Sequence, residues 1–266
     1  MSSTSPKDVW AIGEGYERYV GRWSRLVAPK FIEWLALPGK LKWLDVGCGT
    51  GALARTILQE ASPAGVVGVE PSEGFLASAR AQIADPRAEF RQGGGEKLPA
   101  GDGEFDAVVS GLVLNFIPDQ PKALGEMRRA ARGGGTVAAY VWDYAEGMQL
   151  MRRFWDAAVA LNPAAGELDE ARRFPGCWPE PLSALFKAAG LSELATAAID
   201  VPTVFKDFDD YWSPFLSGQG PAPGYCMKLP EPERVALREN IRKSLSVERD
   251  GSIHLTARAW GVRGVK

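Results

Sequence analysis

The chain has 266 residues, 45% hydrophobic and 24% charged, so it can bury a sizeable core and has the composition of a soluble globular protein. Its formal net charge of −2 gives no electrostatic reason to expect nucleic acid or an anionic membrane surface as a partner. The three cysteines, Cys48, Cys177 and Cys226, lack metal-site spacing and favour a reducing compartment. We therefore expect no metal site and a cytoplasmic location.

The sequence also gives no membrane signal. The N-terminal stretch MSSTSPKDVW lacks the basic and then apolar pattern of a signal peptide. The longest apolar run, around 107–117, is well short of the roughly 20 residues that span a bilayer.

The predicted elements begin with a helical section over 9–37, which glycines interrupt, and then change to alternating strands and helices. Strands are predicted at 41–46, 65–70, 88–93, 105–110 and 135–142, and helices at 53–61, 71–83 and 121–131. This alternation predicts right-handed βαβ units and a mainly parallel sheet with helices on both faces.

The regularity ends after Trp142. Helices are predicted at 146–160 and 181–190, a loop at 217–224, and strands at 191–205 and 253–263. The aromatic stretch FDDYW at 208–212 is interpreted as packing rather than as an aromatic cage. With no linker in view, we expect one domain over 1–266, in which 143–180 and 206–250 are cap insertions.

A glycine-rich loop, LDVGCGTG at 44–51, follows the first predicted strand. Ligands on such sheets bind at the carboxyl ends of strands, and glycines let the backbone approach a ligand closely. A dinucleotide, a phosphate and a sulfonium nucleoside are all candidates, and 47–52 loosely satisfies the dinucleotide fingerprint. The phosphate-loop interpretation fails because no Gly-Lys-Ser/Thr follows the glycines.

Two carboxylates narrow this choice. Asp45 precedes the first glycine, where a negative charge would repel a pyrophosphate but favour a ligand carrying an ammonium and a sulfonium. Glu70 closes the next strand, where a carboxylate can accept hydrogen bonds from two ribose hydroxyls. Together they favour a cationic nucleoside.

At this point the chain resembles the class I S-adenosylmethionine-dependent methyltransferases. The resemblance rests on the blocks at 44–51, 66–80, 91–110 and 112–124, in this order and spacing, and 16–35 resembles the lid segment of a small-molecule branch. It implies a Rossmann-like α/β fold with a seven-stranded sheet whose last strand, 253–263, is antiparallel. It also divides the expected domain into an N-terminal helical lid at 1–39 and a cofactor-binding core at 40–142.

The resemblance implies S-adenosyl-L-methionine as cofactor, S-adenosyl-L-homocysteine as product, and a small-molecule acceptor. Gly47 and Gly49 then contact the methionine part, Glu70 the ribose, Phe75 the adenine, and the Ser110 or Gly111 carbonyl the ammonium. The whole cofactor-binding set is Tyr16, Arg22, Asp45, Gly47, Cys48, Gly49, Glu70, Pro71, Phe75, Gly94, Gly95, Glu96, Ser110, Gly111 and Leu112.

One position departs from the family pattern. Relatives usually read G-D-A-E where this chain reads GGGE at 93–96, and their aspartate bonds the adenine amino group. Gly94 stands in that place, so the contact is either missing or made by Glu96 or a water.

No catalytic residue is assigned, but four residues are candidates for the acceptor pocket: Tyr16, Asn115, Trp142 and Tyr144. Tyr16 has packing as its alternative role, and Asn115 has capping of the turn at 118–119. Arg22 either clamps the cofactor carboxylate or is solvated. His254, the single histidine, is expected to be structural, which leaves positioning in a dry pocket as the main catalytic device.

We therefore predict in-line methyl transfer to a small molecule. The alternatives are an NAD-dependent oxidoreductase on a similar sheet and a catalytically inactive nucleoside-binding regulatory protein. The sequence identifies neither the acceptor, nor the atom methylated, nor the oligomeric state.

Overall fold

The fold, taken from a computed structural model that describes residues 17–218 and 220–266, contains one seven-stranded sheet in the order β3-β2-β1-β4-β5-β7-β6. The strands are β1 (Lys42–Val46), β2 (Gly65–Glu70), β3 (Ala88–Gln92), β4 (Phe105–Gly111), β5 (Ala131–Trp142), β6 (Ser192–Phe205) and β7 (Ile253–Val265). The first five pair in parallel, and β7 runs antiparallel to β5. The predicted Rossmann-like sheet with an antiparallel last strand is therefore confirmed.

Helices connect the strands. The α-helices are α1 (Arg22–Leu35), α2 (Ala52–Glu60), α3 (Glu73–Gln82), α4 (Gln120–Ala130), α5 (Gln149–Leu161), α6 (Glu170–Arg173), α7 (Pro179–Ala188), α8 (Phe208–Trp212), α9 (Pro221–Lys228) and α10 (Glu231–Ser244). A π-helical turn (Glu17–Gly21) precedes α1, and 3-10 helices occupy Leu114–Phe116, Pro163–Leu168 and Ser213–Leu216.

The central strands form because their sequences are apolar on both faces, as strands covered by helices require. Leu44, Val108, Val137 and Ala138 are all fully buried. Side-chain caps fix where two helices begin. Ser72 Oγ accepts the Phe75 N–H at the start of α3, and Asp119 Oδ1 accepts the Lys122 N–H at the start of α4.

Contacts divide the chain into two compact units. The sheet unit comprises Ser24–Asp143, Gly176–Asp200 and Arg258–Lys266. The helical unit comprises, in its described part, 17–23, Tyr144–Pro175 and Val201–Ala257. The expectation of a single domain with a lid at 1–39 and two cap insertions stays a prediction.

Aromatic rings form the core of the helical unit. Phe154 stacks on Phe215 with ring centroids 4.5 Å apart, and Tyr19 meets Phe215 edge-on at 5.6 Å. Phe208 and Trp212 of α8 stack on each other, and Tyr211 between them is fully buried. The FDDYW stretch thus packs inside its unit, as the sequence predicted.

The structure corrects some boundaries. The predicted loop over 217–224 is wrong in its second half, because α9 begins at Pro221, where proline's fixed φ and missing N–H suit a first helical position. The N-terminal helical section ends at Leu35 rather than at residue 37, since Ala36 takes a left-handed φ of 48°. Residues 9–16 of that section lie outside the described residues. No helix in the described part is long and apolar enough to cross a membrane.

Candidate functional site: the carboxyl edge of the parallel sheet

The glycine loop lies at the point where the strand order reverses. β1 is flanked by β2 on one side and by β4 on the other, and the chain leaves β1 through residues 47–51 into α2. A doubly wound sheet opens a crevice at this position, where ligands of such folds bind. The sequence prediction of a site here therefore has the geometry it needs.

Three glycines shape the loop in different ways. Gly47, Gly49 and Gly51 all have positive φ, at 76°, 53° and 87°. A Cβ on Gly47 would lie 2.5 Å from Val113 Cγ1, and one on Gly51 would lie 2.6 Å from Ile83 Cδ1. At Gly49 a Cβ would meet no described atom within 4 Å. Gly47 and Gly51 are thus required by the fold, whereas Gly49 turns an open backbone face outward from the loop.

Glu70, at the end of β2, holds the loop and the next helix together. Its Oε2 accepts the Gly49 N–H at 3.2 Å and its Oε1 accepts the Ser72 N–H at 3.1 Å. Burial raises the pKa of this carboxyl group, while the Ser72 and Gly49 N–H groups lower it. Each oxygen keeps a further lone pair, so the carboxylate can accept hydroxyl hydrogens as well.

Asp45 lies beside this arrangement near the end of β1 and is only 1% exposed. Neither of its carboxylate oxygens has a hydrogen-bond partner among the described residues. Burial raises its pKa to about 7, the Ala54 backbone N–H opposes this, and the nearby Glu70 charge adds to it. A buried carboxyl group in this state favours a positive charge in its neighbourhood.

The loop's remaining side chain and the start of the next helix complete this side. Cys48 is buried, and burial raises the pKa of its thiol well above the ordinary range, so it behaves as an inert apolar group. Pro71 is exposed, and Phe75 in the first turn of α3 is half-buried.

The end of β4 forms the opposite side of the crevice. Ser110 is fully buried, and its hydroxyl donates to the Val46 carbonyl at 2.9 Å, tying β4 to β1. Gly111 packs on Tyr140, whose hydroxyl would lie 2.6 Å from a Cβ there. Leu112 has a φ of 60°, a left-handed conformation that is costly for a leucine. The chain turns sharply here and redirects backbone carbonyls.

Residues 93–96, where the sequence departs from the family pattern, follow β3 in the chain. Gly94 pairs with Lys97 in an isolated bridge, and a Cβ on Gly94 would meet no described atom within 4 Å. Gly95 is packed instead, since its Cβ would lie 2.7 Å from Ile117 Cδ1. One oxygen of Glu96 accepts the Asp119 N–H at 2.9 Å. Glu96 is therefore partly committed to the chain itself, while space for a larger residue exists at Gly94.

Asn115 is the sheet unit's most informative pocket candidate. It lies in the 3-10 turn after β4, is 9% exposed, and neither atom of its amide has a hydrogen-bond partner in the described chain. The alternative that Asn115 caps the turn at 118–119 is wrong, because neither atom of its amide bonds to that turn and the Asp119 N–H donates to Glu96 instead. A buried amide with both groups unsatisfied costs stability, which a bound partner can offset.

Trp142 and Tyr144, the other described pocket candidates, are 3% and 4% exposed. Trp142 ends β5 in the sheet unit, and Tyr144 begins the following segment, where its ring lies 5.6 Å from that of Phe174. Their role as pocket walls stays a prediction. Tyr16 lies outside the described residues.

Arg22, in the helical unit, has partners that the sequence did not indicate. Its Nη1 donates to Asp210 Oδ1 at 3.0 Å, and its guanidinium lies 4.2 Å from the Trp23 ring centroid and 4.7 Å from that of Phe205. Its Nε and Nη2 are buried, with no hydrogen-bond partner among the residues described. These two nitrogens form the edge that binds a carboxylate in bidentate fashion, so the clamp interpretation stays a prediction.

The helical unit also contains a buried polar cluster that the sequence did not indicate. Arg152 forms a bidentate pair with Asp169, at 2.7 and 2.8 Å, and Trp155 donates its indole N–H to Glu170. Burial raises the pKa of Glu170 to about 7. The hydroxyl of Tyr19 is buried without a partner in the described chain, and burial and then the charge of Glu170 raise its pKa. No motif marks these residues, which are separated in sequence.

The sheet unit thus combines an open glycine backbone, a carboxylate at the adjacent strand end, and a buried carboxyl group that favours a cation. These features fit a nucleoside that carries positive charge and argue against a pyrophosphate. Groups of acidic, histidine and cysteine side chains able to hold a metal ion are absent from the described residues. The site defines a binder of a cationic nucleoside on a doubly wound sheet.

Comparison with known proteins gives the family. A model of the methyltransferase domain matches residues 44–139. Demethylmenaquinone methyltransferase of Roseiflexus sp. (strain RS-1) is 33% identical over 167 residues, which cover 57% of this chain and 68% of that protein. The 2-phytyl-1,4-naphtoquinone methyltransferase of Thermosynechococcus vestitus is 30% identical over 175 residues, covering 61% and 77%. The chain belongs to the class I S-adenosylmethionine-dependent methyltransferases.

A solved structure shows the same fold at low sequence identity. Phosphoethanolamine N-methyltransferase 2 of Haemonchus contortus, in complex with S-adenosyl-L-methionine, matches with a TM-score of 0.58 at 17% identity. The match covers 95% of this chain and 56% of that one. The predicted family and cofactor are confirmed, and the alternative of an NAD-dependent oxidoreductase is wrong.

Proposed function

We propose that this protein transfers a methyl group from S-adenosyl-L-methionine to a small-molecule acceptor, with the cofactor held at the glycine loop of the sheet unit. The observation that carries the proposal is the pairing of an open Gly49 with the Glu70 carboxylate, joined at 3.2 Å. A ribose can bond the carboxylate there while the methionine part lies along the exposed backbone.

Other residues have supporting roles in this proposal. Gly47, Cys48 and Gly49 present the loop backbone, and Pro71 and Phe75 border the base at the start of α3. Residues 94–96 lie at the adenine edge, and residues 110–112 offer carbonyls to the ammonium. Support comes from the open side of Gly94 and from the sharp turn at Leu112.

The bound cofactor supplies a methyl group already activated by a sulfonium. The chain's own task is then to hold the acceptor in line with that group and to exclude water, which can account for a large part of a rate enhancement. Asn115 is the side chain that we assign to the acceptor, because its buried amide offers a donor and an acceptor with no internal use. The single histidine, His254, bonds Ser252 at 3.0 Å, which agrees with a structural role.

Relatives support a small-molecule acceptor. Two relatives are named as methyltransferases of demethylmenaquinone and of 2-phytyl-1,4-naphtoquinone. The chain covers at least two thirds of the length of each. The three cysteines are free thiols, which supports the cytoplasm as the location. An acceptor with an aromatic ring and a hydroxyl or carbonyl group fits an asparagine contact and is the first class to test.

The test has two stages. Titration calorimetry with S-adenosyl-L-methionine, S-adenosyl-L-homocysteine and NAD should show binding of the first two only. Methyl transfer from labelled cofactor is then measured on a panel that begins with reduced naphthoquinones and extends to small acids, phenols and amines. Cofactor binding without turnover on any panel member would favour the nucleoside-binding regulatory alternative.

The variant Asn115→Leu tests the acceptor assignment. Leucine has the same heavy-atom branching as asparagine and removes the unsatisfied amide, so we expect the free energy of unfolding to be unchanged or higher by about 1 kcal/mol. Affinity for the cofactor should stay within twofold, while turnover should fall. Wild-type turnover in this variant would remove Asn115 from the site.

A further inference from the structure

Asp45 has no neutralising partner in the described chain. Its register neighbours are Gly68 on β2 and Val109 on β4, neither of which carries charge. The polar groups acting on it are the Ala54 N–H of α2 and the carboxylate of Glu70 at the end of β2. The thiol of Cys48, in the loop itself, is near enough for the charge of Asp45 to raise its pKa.

Arg80, whose positive charge acts on the glycine loop, is already paired with other groups. Arg80 of α3 lowers the pKa of Cys48, but its guanidinium pairs with Glu73 at 2.7 Å and donates to the Phe90 carbonyl at 3.1 Å. Neither oxygen of Asp45 has a hydrogen-bond partner among the described residues, and no arginine or lysine is among the groups that shift its pKa. The carboxyl group therefore faces a second carboxylate in a buried setting with no internal counter-ion.

A buried carboxyl group in that position has two low-energy states. It can bind a proton and stay neutral, or it can ionise when an external cation supplies the missing charge. The cofactor brings such charge on its sulfonium and its ammonium, whereas the chain has none to give at this place. Binding of the cofactor would therefore favour the ionised state of this carboxyl group.

We propose that Asp45 is a proton-linked recognition residue, protonated in the cofactor-free protein and ionised, with release of that proton to solvent, when S-adenosyl-L-methionine binds. The proposal rests on the placement of the cofactor at the glycine loop. No bond other than the carboxyl O–H breaks, and the proton passes to the buffer. Asp45 thereby selects for a positively charged ligand at the sheet edge.

Proton release is measured by titration calorimetry at pH 6 in two buffers with different ionisation enthalpies. With a pKa of about 7, Asp45 in the free protein is mostly protonated at pH 6, and binding should release this proton. The cofactor's own amino group stays protonated at this pH, so it contributes nothing. The Asp45→Asn variant should release no such proton and should bind the cofactor roughly 10-fold more weakly.

Asp106→Asn is the matched control. Asp106 lies on β4 in the same unit, but its carboxylate already accepts the Lys42 N–H at 2.8 Å and pairs with Arg132, so its pKa is lowered. This variant should release as many protons as the wild type. Equal release with S-adenosyl-L-homocysteine would assign the linked charge to the ammonium, and release with S-adenosyl-L-methionine alone would assign it to the sulfonium.

The proposal is overturned if the wild type releases no proton, or if Asp45→Asn releases as many as the wild type, since the source would then be Glu70 or another group. Failure of the cofactor placement looks different. In that case Asp45→Asn and Glu70→Gln would both bind S-adenosyl-L-methionine with unchanged affinity.

Discussion

Replacing Glu70 by glutamine tests the cofactor site most directly. The carboxylate accepts two backbone N–H groups at once, from Gly49 and Ser72. A glutamine amide has only one acceptor atom, so in either orientation its NH2 faces one of these donors. The lost backbone hydrogen bond lowers the stability of the free and the bound protein alike. The ribose, however, loses a hydrogen bond to a charged group, which is worth about 1.5–3 kcal/mol of binding free energy. We expect S-adenosyl-L-methionine to bind roughly 10- to 150-fold more weakly.

Titration calorimetry at pH 7.5 provides the assay, with circular dichroism to verify the fold. Glu73→Gln is the matched control, because Glu73 lies three residues away but is largely exposed and pairs only on the surface with Arg80. The binding free energy of the Glu73→Gln variant for S-adenosyl-L-methionine should change by less than about 0.5 kcal/mol. If Glu70→Gln stayed folded and bound the cofactor as tightly as Glu73→Gln, the ribose assignment would be refuted.

Three further outcomes follow from the same geometry. Gly49→Ala should weaken cofactor binding, measured by calorimetry, yet destabilise the fold by only about 1–2 kcal/mol. Gly51→Ala should be more destabilising in urea denaturation, because its methyl group would lie 2.6 Å from Ile83 Cδ1. Gly94→Asp should tighten cofactor binding by about 0.5–1.5 kcal/mol, since the space at Gly94 is open, and weaker binding would show that the space is needed. The pKa of Glu170 is raised from 4.5 to about 7 in the folded protein, so this group contributes stability that is fully present below pH 4.5 and is lost as pH rises through 7. Glu170→Gln should reduce this loss by up to about 3 kcal/mol, measured as the difference in the free energy of unfolding between pH 4.5 and pH 8.

The alternating core of the fold was predictable because each strand there is short, apolar and followed by an amphipathic helix. The predicted strand at 41–46 differs from β1 by one residue at its start, and the predicted helix at 53–61 differs from α2 by one residue at each end. The region from 206 to 250 was less predictable, because α8 has only five residues and α9 begins with prolines that are typical of loops. Pro221 and Pro223 read as loop residues, although proline in the first turn of α9 is compatible with a helix.

The site was predictable where a strand end and a glycine motif mark it. Asp45, Gly47, Gly49 and Glu70 all lie at the carboxyl edge of the sheet, as expected from the order of elements. The partners of Arg22 and Glu170 were not predictable. Their contacts with Asp210 and Trp155 join residues distant in sequence, and no periodic pattern reports such pairs.

The sheet unit contains features that lower its stability and that its fold alone does not explain. Asp45 and Asn115 are buried polar side chains whose oxygens lack partners in the described chain, and Leu112 holds a left-handed backbone conformation beside them. Each of these lowers the stability of the free protein by an amount on the order of 1–3 kcal/mol. All three lie at the carboxyl edge rather than in the strand interiors, where Leu44 and Val108 are packed in the ordinary way. A group of such features at the carboxyl edge agrees with the proposed ligand site, because Asp45 and Asn115 would gain partners there when cofactor and acceptor bind.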